Sequence, residues 1–148
     1  MDDQTRRWIE DDIARLVVEY ARLLDFGDRD GWLRLFPADG VLDLGFMRSS
    51  GQQELRQFLE GRSPRYTTAH VVSNIWVQVQ DEDNATGTNY ITAYRHVSPL
   101  EHAPRPVPMD PPLLMGYYDD RYTRRDGVWQ FAERRLIRWF EREPGPGS

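Results

Sequence analysis

Residues 67–79 read TTAHVVSNIWVQV, with β-branched and aromatic side chains alternating along the run, and the turn signal DEDN follows at 81–84. The strand reading extends to Gln80 and repeats over Thr86 to Val97, Leu113 to Arg124 and Val128 to Phe140, the last two separated by RRDG at 124–127. Upstream the period is helical. Ile9, Ile13, Leu16, Val17, Tyr20, Leu23 and Leu24 form one stripe between Asp3 and Phe26, and the run stops at Gly27. A second helix is expected over Arg29 to Phe36, stopped by Pro37, with a brief strand over Gly40 to Leu44. Ser50 with Gln53 reads as a capping box opening a third helix, whose apolar face is Leu55, Phe58 and Leu59 and whose end lies near Gly61. Helices first and strands afterwards predict an α+β domain, its N-terminal helices covering one face of a strongly curved, mostly antiparallel sheet.

At 148 residues the chain is long enough for one domain with a core and a small-molecule cavity. Residues 99–112, PLEHAPRPVPMDPP, carry six prolines and are expected to form a surface loop, a candidate lid beside the sheet opening. A disordered tail is expected over about 141–148. All nineteen basic residues are arginine, and cysteine is absent. Disulfides, thiol nucleophiles, thiolate metal sites and lysine Schiff bases are thereby excluded, leaving carboxylates, histidine, tyrosine, hydroxyls and arginine for chemistry. A net charge of -5 argues against nucleic acid as a partner. The start, MDDQTRRWIEDD, is charged where a signal peptide is apolar, and no run approaches the roughly 20 apolar residues of a membrane span. A soluble, cytoplasmic protein with no membrane partner is the expectation.

On a helical wheel Asp25 falls beside Ala14, Val18 and Ala21, away from the charged face of Asp11, Arg15, Glu19 and Arg22. One reading is a turn-forming aspartate in LDFGDRD; the other is a buried carboxylate, poorly matched to the helix C-terminus but suited to an imidazolium. Strict alternation along 67–79 puts His70, Val72, Asn74 and Trp76 on one face, polar groups in an apolar setting, as in small-ligand sites. A structural histidine bonded to backbone is the alternative. Tyr90, Tyr94 and His96 share a face of the next strand and either line a cavity or cover the outer sheet surface. Tyr20 either reaches a substrate oxygen or packs and bonds to backbone. Arg134 and Arg135 are adjacent, so one turns inward unless a bulge intervenes, and a buried arginine wants an anion or a carbonyl oxygen. His70, His96 and His102 lack metal-binding spacing, and the glycine-rich nucleotide signatures and GxSxG are missing, so no metal or cofactor is expected.

The order YARLLDFGD (20–28), ADGVLDLG (38–45), TTAHVVSN (67–74) and YTRRDGVWQFAERR (122–135) resembles the SnoaL-like branch of the nuclear transport factor 2-like superfamily, over about residues 5 to 140. The resemblance implies a cone-shaped α+β barrel with a deep pocket between helices and sheet, in a homodimer or homotrimer. It matches Asp25 and His70 to the aspartate and histidine dyad of scytalone dehydratase, bile acid 7α-dehydratase and hexachlorocyclohexane dehydrochlorinase. Tyr20 matches the tyrosine of the bile acid enzyme, where the dehydrochlorinase has a lysine. Arg134 matches the pocket arginine of the dehydrochlorinase, and His96 a second pocket histidine of scytalone dehydratase.

The expected function is a cofactor-independent lyase or isomerase, a dehydratase or cyclase for a small hydrophobic, oxygenated substrate of polyketide or steroid type. Asp25, His70 and Tyr20 would be catalytic, with Asn74, Trp76, Tyr90, Tyr94, His96 and Arg134 holding substrate. Tyr20 in place of a lysine makes halide elimination a weaker candidate than loss of water. The family also contains non-catalytic dioxygenase β subunits, ligand-binding proteins and epoxide hydrolases, and fold alone does not choose among them.

Overall fold

The computed structural model describes residues 1–143. Helix α1 (Asp3–Phe26) is capped by Asp2, whose carboxylate accepts the Thr5 N–H at 2.7 Å. It ends at Gly27, which sits at φ +77, so that the Gly27 and Asp28 N–H groups return to the carbonyls of Leu24 and Leu23. The apolar stripe is buried from Ile9 to Leu24, while Val18 is exposed and marks the edge of the covered face. Helix α2 (Arg29–Leu33) is shorter than expected; turns rather than helix carry the chain on to Pro37. Strand β1 (Val41–Asp43) pairs with β2 (Arg48–Ser50), a short strand the sequence did not announce. Helix α3 (Gly51–Glu60) starts at Ser50, but without a Ser50 side-chain cap; the Glu54 carboxylate accepts the Ser50 N–H at 3.0 Å, so Gln53 is not the capping partner.

Four long strands follow, β3 (Tyr66–Val79), β4 (Asn84–Val97), β5 (Leu114–Arg125) and β6 (Val128–Glu141). The sheet order is β2-β1-β6-β5-β4-β3, all antiparallel except β1 against β6. The sheet is mixed and open, not a closed barrel: β2 and β3 are its edges. Register shifts in β3/β4 and β5/β6 bend it around α1. Ile13, Val17, Trp32, Leu55, Ile91 and Phe131 fill the space between, each fully buried apolar side chain contributing roughly 1.5–3 kcal/mol. β6 includes Glu141, so the first residue of the expected tail is strand; residues 144–148 lie outside the described residues. No helix among the described residues is long and apolar enough to cross a membrane.

The β3 irregularity changes which residues face inward. Between Ser73 and Trp76 the register with β4 shifts, with Asn74 at φ +50. The extra residue reverses the alternation. Before it Thr68, His70 and Val72 face the helices; after it Ile75, Val77 and Val79 do, leaving Asn74 and Trp76 exposed. β4 crosses close to the bulge: a Cβ on Gly87 would stand 2.4 Å from the Trp76 carbonyl oxygen, a backbone contact that no rotamer relieves.

Candidate active site

Asp25 and His70 meet because α1 lies along the unpaired edge of β3. His70 is opposite Ala93 in the β3/β4 ladder, and its own N–H points away from that ladder to Asp25 Oδ2 at 2.8 Å. The His70 ring places Nδ1 2.6 Å from Asp25 Oδ1. One carboxylate thus holds both backbone and ring of the histidine. Nδ1–H donating to Asp25 leaves Nε2 as the free basic nitrogen on a ring that lines the cavity. The Thr68 hydroxyl donates to Asp25 Oδ1 at 3.3 Å and accepts from Arg62 Nη2 at 3.0 Å, extending the chain of contacts by two residues. Asp25 and His70 side chains are 18% and 13% exposed, enough burial to strengthen the pair and enough access for a proton to enter and leave.

The cavity encloses about 480 Å³, the size of an ordinary small-ligand pocket. Leu24, Phe46, Phe58, Leu113 and Leu136 give it an apolar wall, and Tyr20, Tyr118, Arg62, Arg95 and Arg138 its polar groups. A second recess, of about 490 Å³, reaches Asp25 and Thr68 from the other side, under His102 and Arg105 of the proline-rich loop. That loop is tied down by the His102 N–H to Pro64 and by His96 Nδ1 to Asp110 at 2.7 Å. It borders this recess and contributes no residue to the lining of the cavity.

Tyr20 lines the cavity at 2% exposure, packed against Trp32 and Tyr118. Burial pushes its phenol well above the ordinary value, with Tyr118 adding to the effect and Arg134 opposing it. Burial raises Tyr118 too, and burial with the Asp120 charge raises Tyr122. These phenols are hydrogen-bond donors throughout the physiological range. Each binds its proton more tightly folded than unfolded, so its contribution to stability is complete below the unfolded value of about 10 and is lost as pH rises toward the folded value. An alkaline titration of phenolate absorbance is expected to leave Tyr20, Tyr118 and Tyr122 un-ionised until the fold is lost; their ionisation in the folded protein near pH 10 would contradict this burial.

Several expected substrate contacts are placed elsewhere. Asn74 and Trp76 face outward because of the β3 bulge. Tyr90, Tyr94 and His96 belong to the outer face of β4, because Ile91, Ala93 and Arg95 are the inward set. Tyr90 packs edge-on against Trp139, and His96 holds the proline-rich loop. Arg134 turns inward but stops short of the cavity. It is fully buried, donating from Nε and Nη2 to Asp120 at 2.9 and 3.0 Å and from Nη2 to Asn89 at 2.8 Å. The rings of Tyr118 and Tyr20, at 3.8 and 4.4 Å, separate it from the cavity. Burial alone would weaken its hold on its proton, but the Asp120 charge and hydrogen bonds outweigh that and raise it.

Thr68, Arg62, Arg95 and Arg138 were not foreseen. Alternation carried a signal for two of them: Thr68 shares a face with His70, and Arg95 continues the apolar face of Ile91 and Ala93. Among the described residues no cluster of three metal-ligating side chains occurs.

No curated protein matches this chain. Among solved structures, a scytalone dehydratase-like protein of Novosphingobium aromaticivorans is 22% identical, with a TM-score of 0.81 over 97% of this chain and 93% of that one. Hexachlorocyclohexane dehydrochlorinase type 3 of Novosphingobium barchaimii is 16% identical, with a TM-score of 0.78 over 95% and 93%. A dioxygenase β subunit of Novosphingobium aromaticivorans is 14% identical, with a TM-score of 0.75 over 93% of each chain. At these identities the likeness establishes the fold. Residues 5–135 match the SnoaL-like domain, and the chain, with its cavity between helices and open sheet, belongs to that family within the nuclear transport factor 2-like superfamily.

Proposed function

We propose that the protein is a cofactor-independent lyase, a dehydratase or cyclase for a small hydrophobic β-hydroxy carbonyl compound of polyketide or steroid type. The observation that carries this reading is the 2.6 Å contact between Asp25 and His70 in the wall of a cavity of about 480 Å³. His70 Nε2 removes the proton next to the substrate carbonyl, and Asp25 stabilises the imidazolium so formed. The Tyr20 hydroxyl donates to the carbonyl oxygen as it gains charge. His70 then returns the proton to the β-hydroxyl, the carbon–oxygen bond breaks, and water and a conjugated enone leave. No step needs an oxidant, a metal or a nucleotide.

The test is ultraviolet detection of enone from a panel of bicyclic β-hydroxy ketones. Substrate-dependent enone formation above the buffer rate is the expected result; its absence across the panel, with tight binding of the same compounds, would favour a ligand-binding protein.

The outer sheet face supports an oligomer. Val71, Trp76 and Trp139 are each at least half exposed on it, large apolar side chains that a partner surface would cover. A second copy of this chain is the proposed cover, giving a homodimer or homotrimer. Equilibrium sedimentation reading the mass of one chain at micromolar concentration would overturn this. Stable capture of a different subunit, with indifference to changes at His70, is the outcome for a β-subunit-like role.

A further inference from the structure

The cavity wall holds more positive charge than proton transfer uses. Arg62, Arg95 and Arg138 all line it. Among the described residues the Arg62 guanidinium makes a single hydrogen bond, to the neutral Thr68 hydroxyl. Arg95 stacks on Tyr66 at 4.7 Å, with its Nε buried and without a hydrogen-bond partner among the described residues. Arg138 donates from Nη1 to the Leu44 carbonyl but likewise keeps a buried Nε without such a partner, its nearest carboxylate being that of Glu141 at 3.6 Å, which also lines the cavity and is 61% exposed. Burial disfavours the charge on Arg62; Asp25 offsets part of that cost, and Arg95 adds to it. Partly buried like charges facing one cavity, two of them with a buried Nε left without a partner, are costly unless an anion occupies the space between them.

The ladder gives the position of that anion relative to the chemistry. Arg95 is opposite Thr68 and diagonal to His70 across the β3/β4 pair, a separation of about 7–8 Å. A guanidinium presents a planar fork of donors that matches the two oxygens of a carboxylate. We propose that the molecule bound in this cavity carries a carboxylate, seated between Arg62 and Arg95 with Arg138 beyond, its apolar body lying along Leu24, Phe58 and Leu136 toward His70. The identity of the reacting carbon rests on the function proposed above; the carboxylate seat does not, so its test reads binding and not turnover.

The probes are 1-naphthoate and its neutral isostere 1-naphthamide, compared by titration calorimetry. The wild-type protein is expected to bind the carboxylate roughly 10-fold or more tightly than the amide, the worth of one charge-assisted hydrogen bond. Arg95→Gln is expected to bring that ratio to within about 2-fold, and Arg95→Lys to recover part of it. His70→Ala is expected to leave the ratio unchanged, which separates failure of the seat from failure of the dehydratase reading. Circular dichroism checks each variant, and if Arg95→Gln does not fold, Arg138→Gln and Arg95→Lys supply the ratio. Equal affinities in the wild type, no naphthoate binding at millimolar concentration, or a ratio unmoved in every folded arginine variant would each overturn the proposal. Tighter binding of 1-naphthyl phosphate than of 1-naphthoate would overturn the assignment to a carboxylate.

Discussion

Replacing His70 with alanine is expected to lower kcat/KM for enone formation by about 10² to 10⁴, the usual contribution of a positioned general base. That is roughly 3 to 5 kcal/mol of transition-state stabilisation at about 1.36 kcal/mol per decade. The fold should survive, because Asp25 keeps the His70 N–H and the Thr68 hydroxyl as donors after the ring is gone. Asp25→Asn is expected to lose activity on a similar scale for a different reason. An amide oxygen can still accept from the His70 ring, but it brings no negative charge to the imidazolium formed when Nε2 takes a proton. The measurement is steady-state kinetics of both variants beside their thermal unfolding. Full activity in either folded variant ends the acid-base reading of this pair, and a loss that tracks unfolding would show that the pair is structural.

Arg134→Met is expected to cost about 3–5 kcal/mol of folding stability, because it strands a buried charge. Asp120 has no exposed side-chain surface, and of its partners Arg134 alone is charged; Asn89 and Tyr122 supply neutral hydrogen bonds at 2.8 Å each. Such a loss is a large fraction of the 5–15 kcal/mol typical of a domain. Adding Asp120→Leu to Arg134→Met should recover much of it, since the uncompensated carboxylate is then gone. Urea unfolding of the single and double variants provides the comparison. A cost below about 1 kcal/mol for the single change, or no recovery in the double, would mean that the pair is not what holds this layer together.

The helical stripe of α1, its stop at Gly27 and the four long strands were legible because each depends on local periodicity and turn chemistry, which neighbouring residues carry themselves. The Asp25 and His70 pairing was legible for a related reason: each stands on the inward face of its own element, and the family resemblance put the two together. Asn74 and Trp76 were misplaced because a single added residue between Ser73 and Trp76 exchanges the faces of everything beyond it. Nothing local in SNIW marks that residue; the close approach of Gly87 on the next strand accompanies it. At Tyr90 and Tyr94, where the sequence left the cavity wall and the outer sheet surface both open, the reason is of another kind. Their face was identified, but which face meets the helices depends on how the whole sheet curves around α1.

The arginines divide the same way. Adjacency required one of Arg134 and Arg135 to point inward, and Arg134 does, but its partner Asp120 is supplied by the β5/β6 register and not by any spacing along the chain. Local pattern and composition were enough for a helix-then-strand domain and a reactive inventory without lysine or cysteine, and they left Asp25 and His70 each with a structural alternative. Which polar groups share the cavity with Asp25 and His70 was set by long-range contacts. That choice depends on strand register, one bulge and the curvature of an open sheet, each set by contacts between residues far apart in the chain.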